Sequence, residues 1–133
     1  MARATALRRA LARFLLGAMV AGPAAAQGVV DGSDARIGIE RTERLLALVR
    51  QTLPGPDAKV TDLREGRAGA VCGMIETRNR MGNYTGPRPF VSDPASRVFG
   101  RLPEGPELRN PASAADFAAM ERTRRLYAQN CAE

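Results

Sequence analysis

The sequence predicts an α+β fold: a small antiparallel sheet of three to four strands, flanked by an N-terminal and a C-terminal helix and stapled by one disulfide. Three observations carry this expectation. Residues 35–53 and 113–130 repeat side chains at helical spacings of three and four, mostly apolar ones. Between them lie short runs with β-strand character, separated by Gly, Pro and Asn clusters. The chain carries two cysteines: Cys72 in the best of those runs and Cys131 at the end of the second helical stretch.

The first element is not part of the fold. Arg3, Arg8, Arg9 and Arg13 form a basic stretch, Phe14 to Gly22 is a short apolar run, and Ala24 and Ala26 are small residues in a cleavage-site pattern. Residues 1–26 therefore read as a signal peptide, cut near Ala26–Gln27. The apolar run is far shorter than the roughly 20 residues that cross a hydrocarbon core, so a membrane anchor is not expected. Residues 27–133 form a single small domain in a periplasmic or secreted protein, with 27–33 as a flexible lead-in.

In that domain, Ser33 or Asp34 caps a helix. Ile39, Thr42, Leu46, Val49 and Leu53 share one face, and Glu40, Arg41, Glu43, Arg44 and Arg50 cover the other. Pro54 ends the helix, because the residue before a proline is pushed out of the α region. Lys59–Arg64 is a strand with a poor alternating pattern, and 65–69 is a turn. Residues 70–77 make the clearest strand, with Val71, Gly73 and Ile75 pointing one way and Cys72, Met74 and Glu76 the other. Residues 79–86 form a loop centred on Gly82-Asn83. Residues 88–91 return with Phe90 as core anchor, 96–101 form a short strand, and 103–111 are loop. Ser113 and Asp116 open the last helix as a capping-box-like pair. Its inner stripe is Phe117, Met120, Arg124, Tyr127 and Cys131.

Charge excludes little and suggests little. The chain has 20 basic and 14 acidic residues. Four of the basic ones lie in 1–26 and none of the acidic ones does, which leaves 16 against 14, or +2, in the domain. No nucleic-acid partner is expected from such a balance. One local bias remains: Ala58–Val91 holds six basic and three acidic residues, with Arg78, Arg80 and Arg88 close together.

Two cysteines in an exported chain suggest an intramolecular Cys72–Cys131 bridge. Two free thiols or a bridge between chains are the alternatives. The chain has no histidine and no Cys-x-x-Cys pair, so neither metal, cofactor nor thiol chemistry is expected. No catalytic residue is assigned.

The segment Val71-Cys72-Gly73, then Asn79, Gly82, Tyr84, Gly86 and Phe90, resembles a family of small, uncharacterised exported bacterial proteins. Their shared phrase is Val-Cys-Gly, Asn-x-Lys-Asn, an aromatic, Gly-Gly-Tyr, Gly and a later Phe. Here Glu76, Arg78, Met81 and Asn83 depart from it. The likeness spans about 20 residues of 133 and implies no activity.

Two readings of this segment compete. In one, the glycines, Asn79 and Tyr84 serve only to fold the loop. In the other, Arg78, Asn79, Arg80, Asn83, Tyr84 and Arg88 form a recognition loop for a polar or anionic ligand or an envelope protein. The function expected is a non-enzymatic binding or envelope-associated module. The alternatives are a secreted inhibitor or effector whose loop inserts into another protein, and a small hydrolase built on Glu76. A Glu76–Arg78 ion pair across the loop is the plainer role for that carboxylate.

Overall fold

A computed structural model describes residues 28–55 and 57–133. The leader read over 1–26 and its cleavage point lie outside the described residues. The chain forms β1 (Gly28–Val29), a 3-10 turn (Ser33–Arg36), α1 (Ile39–Thr52), β2 (Lys59–Glu65), a second 3-10 turn (Arg67–Gly69), β3 (Val71–Glu76), β4 (Arg88–Asp93), β5 (Val98–Arg101), α2 (Gly105–Arg109) and α3 (Ala114–Asn130).

The class is α+β, and two details of the expectation need correcting. The sheet has five strands, not three to four, in the order β1-β2-β3-β4-β5. It is mixed, because β1 pairs with β2 in parallel while the remaining pairs are antiparallel. The cause is a crossover. Helix α1 carries the chain back to start β2 in the direction of β1, which only a connection of this length permits. A two-residue strand inside 27–33 has no period to read. Residues 103–111 also hold the short helix α2. Glu104 and Glu107 close a capping box at its start, with a proline in its first turn.

The sheet is covered on both faces. On one side Leu45 and Val49 of α1 meet Val60, Leu63, Val71, Ile75, Phe90 and Phe99. On the other, Cys131 with Leu126 and Tyr127 meets Ala70, Cys72 and Val91. Strand β3 is central and contributes to both layers, so its residues are almost continuously buried. The Cys72–Cys131 disulfide is present, with Cα atoms 5.7 Å apart. It joins the middle of the sheet to the end of α3.

Two helix faces differ from the pattern read in the sequence. Ile39 is 77% exposed, while Leu45, outside the expected stripe, is buried. In α3 the buried position is Thr123, which fits against Gly100 of β5; a Cβ on that glycine would collide with the Thr123 side chain. Arg124 is exposed and pairs with Glu121.

Ser33 does not cap α1; Gly38 occupies that position. The Ser33 hydroxyl instead serves β2, where the register with β3 shifts between Thr61 and Arg64. Asp62 is the extra residue there and sits at φ 51°. Its N–H donates to Asp31 Oδ2 (2.8 Å), and the Leu63 N–H donates to Ser33 Oγ (2.9 Å). Asp31 Oδ1 also accepts from the Ser33 N–H and hydroxyl. Two side chains of the segment after β1 thus satisfy the bulge that a strand would otherwise leave unpaired.

These bonds, the Asp62 N–H first and the Ser33 groups next, hold the Asp31 pKa down at about 2, against an ordinary 3.8. A depressed carboxylate pKa adds stability that is complete above the unfolded value and lost as pH falls through the folded one. Stability should therefore decline between about pH 4 and pH 2. Asp31→Asn should flatten that part of the curve in urea titrations run across this range. An unchanged slope in the variant would refute the assignment to Asp31.

Candidate functional site: the hairpin between β3 and β4

Residues 77–87 fold on themselves. Asn79 is the organiser: its Oδ1 accepts the N–H of Met81 (2.9 Å) and of Asn83 (3.0 Å). Its backbone N–H donates to the Asn83 carbonyl, and the Gly82 N–H donates back to the Asn79 carbonyl. Asparagine closes such turns because its short amide reaches the backbone two residues on. Gly82 and Gly86 take φ values of 82° and 92°, which cost glycine little. Arg78 and Tyr84 form an isolated antiparallel bridge, and the Thr85 N–H donates to the Thr77 carbonyl.

Tyr84 pins this hairpin to the body. Its hydroxyl donates to the Asp57 carbonyl (3.0 Å). The Lys59 Nζ lies 3.8 Å from the centre of its ring, and the Arg78 guanidinium carbon lies 4.7 Å from that centre. Both distances suit cation–π attraction. Arg78 Nε also sits 3.4 Å from Asp57 Oδ2. Tyr84 raises the Arg78 pKa above its ordinary value, and Asp57 adds to this.

Of the residues expected in a recognition loop, Arg78, Asn79, Arg80, Asn83 and Tyr84 are brought together on this hairpin. Three of them are engaged inward: Arg78 and Tyr84 in the stack, and Asn79 in the turn. Arg80 and Asn83 are exposed, and their side chains make no hydrogen bond or ion pair among the described residues. Arg88 does not belong to the group. It begins β4, its side chain is 14% exposed, and Glu107 of α2 holds its guanidinium at 2.7 Å. The Leu102 carbonyl accepts from it as well. Burial works against the Glu107 carboxylate, but the Arg88 bond and the Glu104 N–H outweigh it and keep its pKa low. Arg88 thus anchors α2 to the sheet.

The expected Glu76–Arg78 pair is replaced by Arg78–Asp57. Glu76 Oε1 instead accepts the Gly86 N–H (3.1 Å) and closes the base of the hairpin. Three residues of the site went unseen in the sequence reading. Asp57 and Lys59 lie some 25 positions away, and only the β2–β3 register, which sets Lys59 opposite Glu76, brings them in. Met81 stands at the tip, 83% exposed. A shallow cleft of about 280 Å³ runs beside the hairpin, lined by Pro54, Gly55, Asp57, Ala58, Thr77, Arg78, Asn79 and Arg80.

Among the described residues, no group of three or more acidic or cysteine side chains is placed to hold a metal ion. No helix there is long and apolar enough to cross a membrane. The chain matches no family model, no curated protein and no solved structure.

Proposed function

We propose that the chain is exported, that its leader is removed near Ala26–Gln27, and that the remaining domain is a non-enzymatic binding module using the 78–84 hairpin. The observation that carries this reading is a cross-braced hairpin whose tip presents the exposed side chains of Arg80, Met81 and Asn83, which make no hydrogen bond or ion pair among the described residues. The bracing through Asn79, Tyr84 and Glu76 orders the backbone before a partner arrives, so less entropy is lost on binding. The buried disulfide fits an oxidising compartment. Kinship with the small exported bacterial proteins that share the Val71-Cys72-Gly73 phrase belongs to the same proposal.

An envelope protein or a polar, anionic ligand is the partner class. A secreted inhibitor or effector would use the same surface, and the exposed Met81 favours insertion into an apolar pocket. The hydrolase reading is weaker, because Glu76 is engaged by the Gly86 N–H and Asp57, the other carboxylate beside the hairpin, by Arg78.

The full chain should be recovered from the periplasmic or extracellular fraction with a mass beginning near Gln27. Used as bait in an envelope extract, it should retain proteins that an Arg80→Ala, Met81→Ala variant loses at least severalfold. Equal recovery by both would defeat the hairpin reading; a cytoplasmic, full-length product would defeat the export reading.

A further inference from the structure

At the other end of β4 from the hairpin, α1 passes over the turn that leads into β5. Between them lies a cleft of about 550 Å³, lined by Arg44, Ala47, Leu48 and Gln51 of α1 and by Pro94 and Arg97 of the turn. Its size is that of a small-molecule site. No carboxylate lines it among the described residues. The adjoining cleft shares Arg44 and Pro94 and does carry Asp93. The Asp93 oxygens, however, are occupied by the Ala95 N–H and the Ser96 hydroxyl.

Arg97 is the informative residue. It stands at φ 54°, in the left-handed region, at the last loop position before β5. Glycine adopts that conformation freely, whereas an arginine there costs stability. The turn does not need its side chain, because Asp93 already builds it. Among the described residues Arg97 also makes no hydrogen bond or ion pair. Arg44 has one carboxylate partner, Glu40, which lies outside the lining. A strained arginine without a structural task faces the same cleft as a second arginine and an amide donor.

We propose that this cleft binds a small phosphate monoester. Arg44, Arg97 and Gln51 take the dianionic oxygens, for which guanidinium forks are well matched. Ala47, Leu48 and Pro94 cover the apolar body of the ester. The site does not depend on the hairpin reading, and Arg122→Ala, an exposed position on α3, serves as its control.

The test is an amide-resolved NMR titration of the disulfide-bonded protein with phenyl phosphate and with inorganic phosphate, alongside thermal melts. Phenyl phosphate should saturate shifts at Leu48, Gln51 and Arg97, and bind severalfold tighter than inorganic phosphate. Arg97→Gly should weaken binding about tenfold, the loss expected for one charge-assisted contact, with a melting temperature equal to or above the parent's. Arg122→Ala should bind like the parent. Absence of saturable shifts up to the order of 10 mM, well past the weak end of specific binding, overturns the proposal. So does parental affinity in Arg97→Gly, or equal affinity for the two probes, which would remove the apolar body from the site.

Discussion

Replacing Cys72 and Cys131 together by alanine is expected to lower unfolding stability by about 4 kcal/mol. The bridge spans 59 positions, and closing a loop of that size removes about this much free energy from the unfolded chain. For a domain near 100 residues the loss corresponds to a fall in melting temperature of roughly 15–30 °C. The structure explains why other contacts cannot compensate. Thr123 and the capping Cys131 are the buried positions of the last helix and its end. Its last carbonyls are held by Arg64, which donates to Cys131 O (3.2 Å), and by Arg67, which donates to Gln129 O (3.1 Å). The Arg67 bond is exposed, and such bonds contribute little. Hydrogen exchange should therefore rise first along α3 in the variant or after reduction. Melts of the oxidised, reduced and double-alanine forms measure the effect; a loss below about 1 kcal/mol in the last two would contradict the staple's assigned role.

Phe90→Ala should cost about 3–5 kcal/mol, the range for removing a fully buried aromatic ring. Phe90 is fully buried, lies 5.2 Å from the Phe99 ring centre and pairs with Gly73 across the β3–β4 ladder. That glycine makes the space. A Cβ at position 73 would meet the Phe90 ring at 2.9 Å and the Thr61 carbonyl oxygen at 3.0 Å. Gly73→Ala alone should thus cost about 1–3 kcal/mol by overpacking. In the Phe90→Ala background the ring is gone and only the Thr61 contact remains. The same substitution should then cost less, with a coupling of about 1 kcal/mol or more. Urea unfolding of the four proteins gives the cycle, and strictly additive losses would show that the ring and the glycine do not compete for one space.

The strand β2 shows why part of the fold was hard to read. Val60 and Leu63 both enter the α1-side core, yet they are three positions apart, so no period of two is visible. The bulge at Asp62 absorbs the extra residue, and the groups that satisfy it come from Asp31 and Ser33, about 30 positions earlier. A short window cannot contain both partners. The α1 face was misread for a related reason. Ile39 has the right spacing, but the helix begins there and the core lies further along it. Arg88 looked like part of a basic loop, and α2, itself unexpected, supplies the carboxylate that draws it inward.

Local chemistry was sufficient for what depends on near neighbours: the two long helices, the Asn79 turn, the glycines of the hairpin, and the alternation that put Cys72 and Cys131 on one side of the sheet. These are decided by backbone sterics and by bonds reaching a few residues, which the order of amino acids encodes directly. The parallel β1 strand, the Lys59–Tyr84–Arg78 stack, and the cleft lined by both Arg44 and Arg97 arise differently. Each joins segments 19 or more positions apart, whose approach is set by strand register and helix docking. Loop closure between such segments costs entropy that only the assembled core offsets, so these features exist once the whole chain has folded and not before.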